Sequence, residues 1–113
     1  MDGLSHYKIC IDACMEAAGV CENCAQLCLK DAHPGMMVDC IRLTLECAKI
    51  CCTTAQVMNM DGTKIKELAR ICAEICDACA EECGKYDSDH CMACAASCTR
   101  CADVCEAVFV NGL

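Results

Sequence analysis

Small apolar residues, most of them cysteine, recur every three or four positions along almost the whole chain. In the stretch HCMACAASCTRCADVC at 90–105, the five cysteines are separated by three, four, three and four residues. This spacing follows the α-helical period and places the cysteines on one face of a helix, in the a/d pattern of a bundle core. Charged residues such as Glu22, Glu46 and Arg100 fall outside this face. The pattern therefore predicts amphipathic helices whose buried face consists largely of sulfur.

Three clusters of turn-forming residues divide the chain into four such helical segments. They are DAHPG at 31–35, which contains the only proline, NMDGT at 59–63, and GKYDSD at 84–89. The segments between them are roughly 22–26 residues long and rich in good helix formers. In addition, CENCAQLCLK at 21–30 resembles CDACAEECGK at 76–85, so the chain reads as two copies of a helical hairpin.

Short connections between helices favour antiparallel neighbours. The sequence therefore predicts an all-α fold, an antiparallel up-down-up-down four-helix bundle with a cysteine-lined core. Residues 1–113 are expected to form this one domain, because 113 residues are too few for two independent cores. Thr63 and Ser88 are predicted helix N-caps, and Gly84 is a predicted helix stop.

Seventeen of the eighteen cysteines lie in register with the predicted buried face, and only Cys52 lies outside it. The seventeen, which are the candidate metal ligands, are Cys10, Cys14, Cys21, Cys24, Cys28, Cys40, Cys47, Cys51, Cys72, Cys76, Cys79, Cys83, Cys91, Cys94, Cys98, Cys101 and Cys105.

Composition and charge exclude several classes of function. A net charge of −8 disfavours nucleic acids and anionic membranes as partners. No uncharged run approaches the length of a membrane span. If Met1 is the native start, Asp2, Lys8 and Asp12 interrupt any signal peptide, and a cytoplasmic location with reduced thiols is expected. No carboxylate dyad, nucleophile–base pair or phosphate-binding loop stands out, so no enzymatic activity is expected.

Neither simple packing nor disulfide bonding explains so many aligned thiols. A core of small thiols buries less carbon than a leucine core, so it costs stability unless another interaction compensates for it. Neighbouring side chains at i and i+4 on a helix have Cβ atoms roughly 5–6 Å apart, whereas a disulfide requires about 3.8 Å. Metal binding remains.

The spacing and the charge both favour Cu(I) over zinc or iron–sulfur clusters. Structural zinc sites combine paired motifs into closed sets of four ligands, and an uninterrupted three-and-four ladder predicts no discrete sets of four. Soft Cu(I) selects thiolates and accepts two or three sulfurs, so each helix is expected to offer a ladder of two-coordinate sites. Roughly one Cu(I) per core cysteine would neutralise the buried thiolates, which are otherwise prohibitively costly to bury.

The segments CIRLTLECAKIC at 40–51 and CGKYDSDHCMACAASC at 83–98 resemble the bacterial copper storage proteins, specifically their cytosolic class. The resemblance extends over nearly the whole chain. It implies a cysteine-rich four-helix bundle that holds many Cu(I) ions, assembles into homotetramers, and serves copper storage or detoxification.

The two ends of the predicted bundle differ in composition. Antiparallel helices bring the 31–36 and 84–90 loops to one end, where we expect a port lined by the potential copper ligands His33, Met36, Met37 and His90. The opposite end is expected to be an apolar plug formed by Met58, Met60, Val108, Phe109 and Val110.

The prediction is a cytosolic, high-capacity Cu(I) store whose partners are copper ions and a copper chaperone or recipient protein. One alternative is a metallothionein-like protein that detoxifies zinc or cadmium. A second is a thiol redox buffer, for which Cys52, close to Lys49 in the sequence, is the weak candidate.

Overall fold

The computed structural model describes residues 6–31 and 34–112. These residues form four long helices and one short 3₁₀ turn. The elements are α1 (Lys8–Leu29), the 3₁₀ turn (Pro34–Met37), α2 (Val38–Asn59), α3 (Ile65–Cys83) and α4 (Asp89–Asn111).

The four helices form the predicted antiparallel bundle. Helix α1 packs against α2 and α4, and helix α3 packs against the same two neighbours from the opposite corner. The connections are short, so each helix runs antiparallel to the one before it, and the particle measures 50 × 20 × 19 Å. The all-α, up-down-up-down prediction is therefore confirmed. Among the described residues, no helix combines the length and the apolar character needed to cross a membrane.

The starts of α3 and α4 differ in detail from the predicted caps. The N-cap of α3 is Lys64, one residue after Thr63, because the N–H of Leu68 donates to the Lys64 carbonyl oxygen at 3.0 Å. Ser88 does occupy the N-cap of α4 and has the extended backbone expected there, but its hydroxyl makes no hydrogen bond. Neither helix start therefore depends on a side-chain cap, and packing of the buried face is the main source of helix stability.

Two glycines end helices in different ways. Gly84 follows the last residue of α3, as predicted, but its φ of −66° is helical rather than left-handed. Gly112 ends α4 with a φ of 76°, and its N–H donates to the carbonyl oxygen of Val108 at 2.8 Å. A residue with a Cβ would be strained in that left-handed conformation, which explains glycine at this position.

The core is one contiguous cluster that runs along the bundle axis. Two threonines take cysteine-like positions on α2 and are fully buried. The Thr44 hydroxyl donates to the carbonyl oxygen of Cys40 at 2.8 Å, and the Thr54 hydroxyl donates to that of Ile50 at 2.8 Å. Because these bonds return to the threonines' own helix, both hydroxyls are satisfied without any contribution from the thiols.

Candidate metal centre

All seventeen cysteines predicted to face the core do so, with relative exposures between 0% and 2%. We call this set, which lies between the four helices, the sulfur column. All eighteen cysteines are free thiols. Cys52 is the exception in position, because it is half-buried and packs against the outside of the core cluster. The helical period thus identified every buried thiol.

Sulfur–sulfur contacts of 4.0 Å or less in the column run mainly across helices, whereas the predicted ladder of two-coordinate sites follows single helices. These contacts include the 3.4 Å distance between the sulfurs of Cys10 and Cys105 and the 4.0 Å distance between those of Cys28 and Cys91. Some cross-helix contacts even join diagonal helices, as in the 3.9 Å distance between Cys14 on α1 and Cys72 on α3. Only three pairs this close share a helix, namely Cys24–Cys28, Cys47–Cys51 and Cys101–Cys105.

The reason for this difference is the direction of the side chains. Every in-register cysteine points toward the common axis of the bundle, where sulfurs from facing helices meet at the same height. Successive cysteines on one helix are instead displaced along that axis, by roughly 1.5 Å for every residue between them. The closest partner of a thiol is therefore usually on another helix.

These cross-helix contacts create groups of four ligands, which the sequence pattern did not predict. In each group the ligand atoms lie within 4.8 Å of one another. Two of the groups share Cys72 and Cys101, and a group of three, Cys24/Cys83/Cys94, shares one thiol with each of two others, so the groups are not independent sites. Four of these groups consist of buried cysteines alone: Cys14/Cys72/Cys101/Cys105, Cys21/Cys79/Cys94/Cys98, Cys24/Cys28/Cys40/Cys91 and Cys51/Cys72/Cys76/Cys101.

His90 lies at one end of the sulfur column, where the port was predicted. Its Nδ1 atom is 3.5 Å from the Cys24 sulfur, 3.6 Å from that of Cys91 and 3.9 Å from that of Cys28. The ring is half-buried and sits at the first turn of α4. An imidazole nitrogen therefore joins the thiols at this end.

The three other predicted port residues have different outcomes. Met37 is buried, with an exposure of 7%, and belongs to the core cluster. Met36 is 75% exposed, so it does not form part of that core. His33 lies outside the described residues.

The opposite end of the column is closed by carbon, as predicted, but with fewer residues than expected. Met58 and Val108 are buried at 0% and 1% exposure, and Phe109 is partly buried against them. Met60 and Val110 are 71% and 63% exposed, so their predicted part in the plug is wrong. Met60 follows the last residue of α2, where the chain already turns away from the bundle.

A hydrogen-bonded cluster beside the His90 end was not predicted. The Tyr86 hydroxyl lies 2.9 Å from Glu82 Oε2 and 3.3 Å from the carbonyl oxygen of Met36. Lys85 donates to Glu82 Oε1 at 3.0 Å and lowers the pKa of this carboxyl group. The bond with Glu82 raises the pKa of Tyr86 to about 12. The i, i+4 spacing of Glu82 and Tyr86 was the signal in the sequence.

The environment of the thiols changes their proton affinity. Burial is the main cause that raises the pKa of Cys28, to about 12, and burial also raises the pKa of Cys40. Hydrogen bonds from neighbouring thiols, those of Cys21 foremost, lower the pKa of Cys47 and Cys94. Burial thus favours the protonated form of Cys28 and Cys40, whereas hydrogen bonds from neighbouring thiols favour the thiolate form of Cys47 and Cys94.

Known proteins share both the sequence and the fold. A family model described as copper storage protein matches residues 4–110. An uncharacterized cysteine-rich protein of Bacillus subtilis, YhjQ, is 42% identical over 103 residues, or 91% of this chain and 95% of the relative.

Solved structures give the same picture. The Cu(I)-bound copper storage protein BsCsp3 superposes with a TM-score of 0.89 at 40% identity, over 92% of this chain and 98% of that one. Apo-Csp3 from Bacillus subtilis has a TM-score of 0.88 at 41% identity, over 92% and 99% of the two chains. A cytosolic copper storage protein from Streptomyces lividans, solved with five coppers, has a TM-score of 0.86 at 32% identity, over 92% and 91%.

Proposed function

The chain belongs to the copper storage protein family, and from this premise we propose that it stores many Cu(I) ions as thiolate complexes along the sulfur column. The observation that carries the proposal is the continuity of the column. Sγ–Sγ contacts of 4.0 Å or less connect the thiols from Cys10 to Cys94 and, separately, those from Cys24 to Cys40. The sulfurs of Cys24, Cys83 and Cys94 lie within 4.8 Å of one another and join the two stretches. Such an array offers soft ligands at every level of the bundle and suits a soft, monovalent ion.

The sulfur spacing accommodates copper bound by two sulfurs as well as copper bound by three. With a metal–sulfur bond of about 2.3 Å, a trigonal site needs sulfurs about 4.0 Å apart and a linear site needs about 4.6 Å. The closest sulfurs, 3.4–4.0 Å apart, suit the trigonal arrangement, and the groups of sulfurs within 4.8 Å of one another also provide the linear spacing. Thiolates shared between neighbouring ions would then complete sites along the whole column, with the seventeen cysteines as the ligands.

Charge balance supports a loading of roughly one Cu(I) per column cysteine. Among the described residues, the only buried charged side chain is the carboxylate of Glu82, so no buried lysine or arginine balances the thiolates. Unbalanced thiolates in a core are very unfavourable, and one monovalent ion per thiolate neutralises them. A divalent ion at the same loading would leave a large positive charge.

Anaerobic titration of the reduced protein with Cu(I), in competition with a chromophoric chelator, tests this proposal. We expect many tightly bound ions and a release approaching one proton for each thiol that becomes a ligand. Replacing the five column cysteines of α4 with serine should lower the capacity in proportion, whereas Cys52→Ser, outside the column, should leave it unchanged. A capacity of only one or two ions would contradict storage.

We further propose that the protein acts in the cytosol as a homotetramer, without enzymatic activity. The Streptomyces lividans relative is described as cytosolic, which supports the location. Large apolar side chains on the helices remain exposed, including Ile9 at 70%, Met15 at 49% and Met92 at 58%, and contacts between subunits would cover such residues. Sedimentation at micromolar concentration tests the assembly, and a monomer would contradict it.

Copper is proposed to enter and leave at the His90 end, exchanged with a copper chaperone or recipient protein. His33, Met36, Met37 and His90 would act there as transient ligands outside the column. The position of His90 beside three column thiols supports its part in this path.

The metallothionein-like alternative is favoured by one observation, the groups of four sulfurs within 4.8 Å of one another. Tetrahedral zinc or cadmium requires such groups. The overlap of these groups is compatible with either metal, because a thiolate can bridge two zinc ions as well as two copper ions. Loading with Cu(I) and Zn(II) together, followed by elemental analysis, separates the alternatives: storage predicts that copper fills the column.

A further inference from the structure

The four ligand atoms at the His90 end form a nearly regular tetrahedron. The Cys24 sulfur is 3.9 Å from that of Cys28 and 3.9 Å from that of Cys91, and the last two sulfurs are 4.0 Å apart. The three distances from these sulfurs to His90 Nδ1 are 3.5, 3.6 and 3.9 Å. All six edges therefore lie within 0.5 Å of one another, from 3.5 to 4.0 Å.

These edges match the dimensions of a tetrahedral zinc site. With Zn–S bonds of about 2.3 Å and a Zn–N bond of about 2.0–2.1 Å, the sulfurs should be about 3.8 Å apart and each about 3.5 Å from the nitrogen. The observed edges exceed these values by at most about 0.4 Å, a movement that small side-chain rotations supply. Three cysteines with one histidine are also an established ligand combination for structural zinc.

The rest of the sulfur column differs from this end in its ligand chemistry. The column elsewhere offers thiols only, whereas this end adds an imidazole nitrogen, so that a divalent ion here leaves a charge of −1 instead of the −2 that four thiolates leave. Of the other histidines, His6 lies at the opposite end, with Nε2 3.0 Å from the carbonyl oxygen of Gly112, and His33 is outside the described residues. Within the described chain, a mixed nitrogen and sulfur set therefore occurs only here.

We propose that Cys24, Cys28, Cys91 and His90, together the His90 site, bind one Zn(II) ion in a closed tetrahedral arrangement. The three thiols release their protons, and His90 binds through Nδ1 as the neutral tautomer that carries its proton on Nε2. Three thiolates and one divalent ion leave a charge of −1. The proposal stands independently of whether the remaining thiols store copper.

Zinc bound at the His90 site should slow the uptake of copper. A zinc ion bound there would join α1, which supplies Cys24 and Cys28, to the first turn of α4, which supplies His90 and Cys91. Zinc would thus close the end of the column that we propose as the copper port. Because Cu(I) prefers the same thiolates, excess copper should displace the zinc ion, and zinc-loaded protein should take up copper more slowly than metal-free protein.

Anaerobic titration of the reduced, metal-free full chain with Zn(II), against a chromophoric zinc chelator, tests the proposal. We expect one equivalent to bind more tightly than any further equivalents. His90→Ala should weaken that first equivalent by at least about tenfold. His6→Ala removes a histidine at the other end, and Cys98→Ser removes a column thiol outside the His90 site, so both should stay within about twofold of the parent protein.

Co(II) provides a readout of geometry that does not depend on affinity. One equivalent should give the visible absorption of tetrahedral cobalt with thiolate ligands, and His90→Ala should shift its bands while far-UV circular dichroism shows that the bundle is intact. Failure to bind zinc against the chelator, or several equal equivalents insensitive to His90→Ala, would overturn the proposal. Cu(I) capacity of the same variant is measured separately, and only its loss to one or two ions would count against storage.

Discussion

The two ends of the sulfur column have the same helical spacing but opposite chemistry. At one end the column meets His90 and the hydrogen-bonded pair of Tyr86 and Glu82. At the other end the same core positions are filled by Met58 and Val108, which are almost completely buried. One end therefore presents ligand atoms near the surface, whereas the other presents packed carbon.

This contrast separates two properties, hydrophobic stability and the provision of metal ligands, which a sulfur core cannot supply equally well. Thiols bury less apolar area than large aliphatic side chains, so a column of cysteine contributes little hydrophobic stability for its length. The carbon plug supplies stability at one end, where no ligand is needed. The His90 end gives up that packing and instead places an imidazole nitrogen beside the thiols of Cys24 and Cys91. Variants at the two ends should accordingly affect different properties.

The largest effect is expected on stability, from the apolar end. Met58→Ala should lower the free energy of unfolding of the reduced, metal-free protein by about 2–5 kcal/mol, because it leaves a cavity in the core. His90→Ala, at a half-buried position, should cost less than about 1 kcal/mol. Urea denaturation followed by circular dichroism measures both values. Equal losses would show that the two ends contribute alike.

Alkaline pH should destabilise the metal-free protein through the thiol of Cys28, which lies at the His90 end of the column. Burial raises the pKa of Cys28 from 9.0 to about 12, so the folded state holds this proton more tightly than the unfolded state. The resulting stability is complete below pH 9.0 and is lost as the pH rises through about 12. Thermal unfolding across this range should show the decline.

Two controls identify the thiol responsible for that decline. Cys28→Ser should flatten the alkaline dependence in the metal-free protein. The copper-loaded protein should lack this contribution, because a bound thiolate has no proton to lose. An unchanged alkaline profile in Cys28→Ser would assign the decline to other groups.

The rates of copper uptake and release should depend on the His90 end. The His33→Ala/His90→Ala variant should slow Cu(I) uptake and chelator-driven release by about tenfold, which corresponds to roughly 1.4 kcal/mol in the barrier. Total capacity should change by about one ion at most, since the thiols set it.

Met60→Ala is the matched control for this measurement. Met60 lies at the opposite end and is 71% exposed, so its loss leaves the core intact, which is not true of fully buried Met58. Stopped-flow loading that gives equal rates for the double variant and for Met60→Ala would contradict the port.

The smallest effect is expected at Tyr86, which links the end of α3 to the 3₁₀ turn. Tyr86→Phe removes the hydrogen bonds to Glu82 and to the carbonyl oxygen of Met36. It should lower stability by about 0.5–1.5 kcal/mol and modestly speed copper uptake, because the turn is held less firmly. Unfolding and stopped-flow measurements on one preparation test both. Slower uptake would mean that Tyr86 instead assists transfer.

Much of the architecture could be predicted from the sequence because helical periodicity is a local property. The steps of three and four residues fixed which face of each helix is buried, so all seventeen column cysteines were identified and Cys52 was excluded. Proline and glycine clusters located the turns for the same reason. The cap at Thr63 and the plug residue Met60 were less predictable, since the last turn of a helix depends on how the neighbouring chain packs.

What only the tertiary structure decided is which sulfurs meet. A helical repeat specifies the direction of a side chain around its own helix, but not its height relative to the facing helix. That height depends on turn lengths and on how the bundle packs, and it brings Cys10 within 3.4 Å of Cys105 across 95 residues. The same packing placed Nδ1 of His90 beside Cys24 and Cys28 of α1. The sequence thus determined the supply of thiols, whereas packing across helices determined the coordination geometry that they offer.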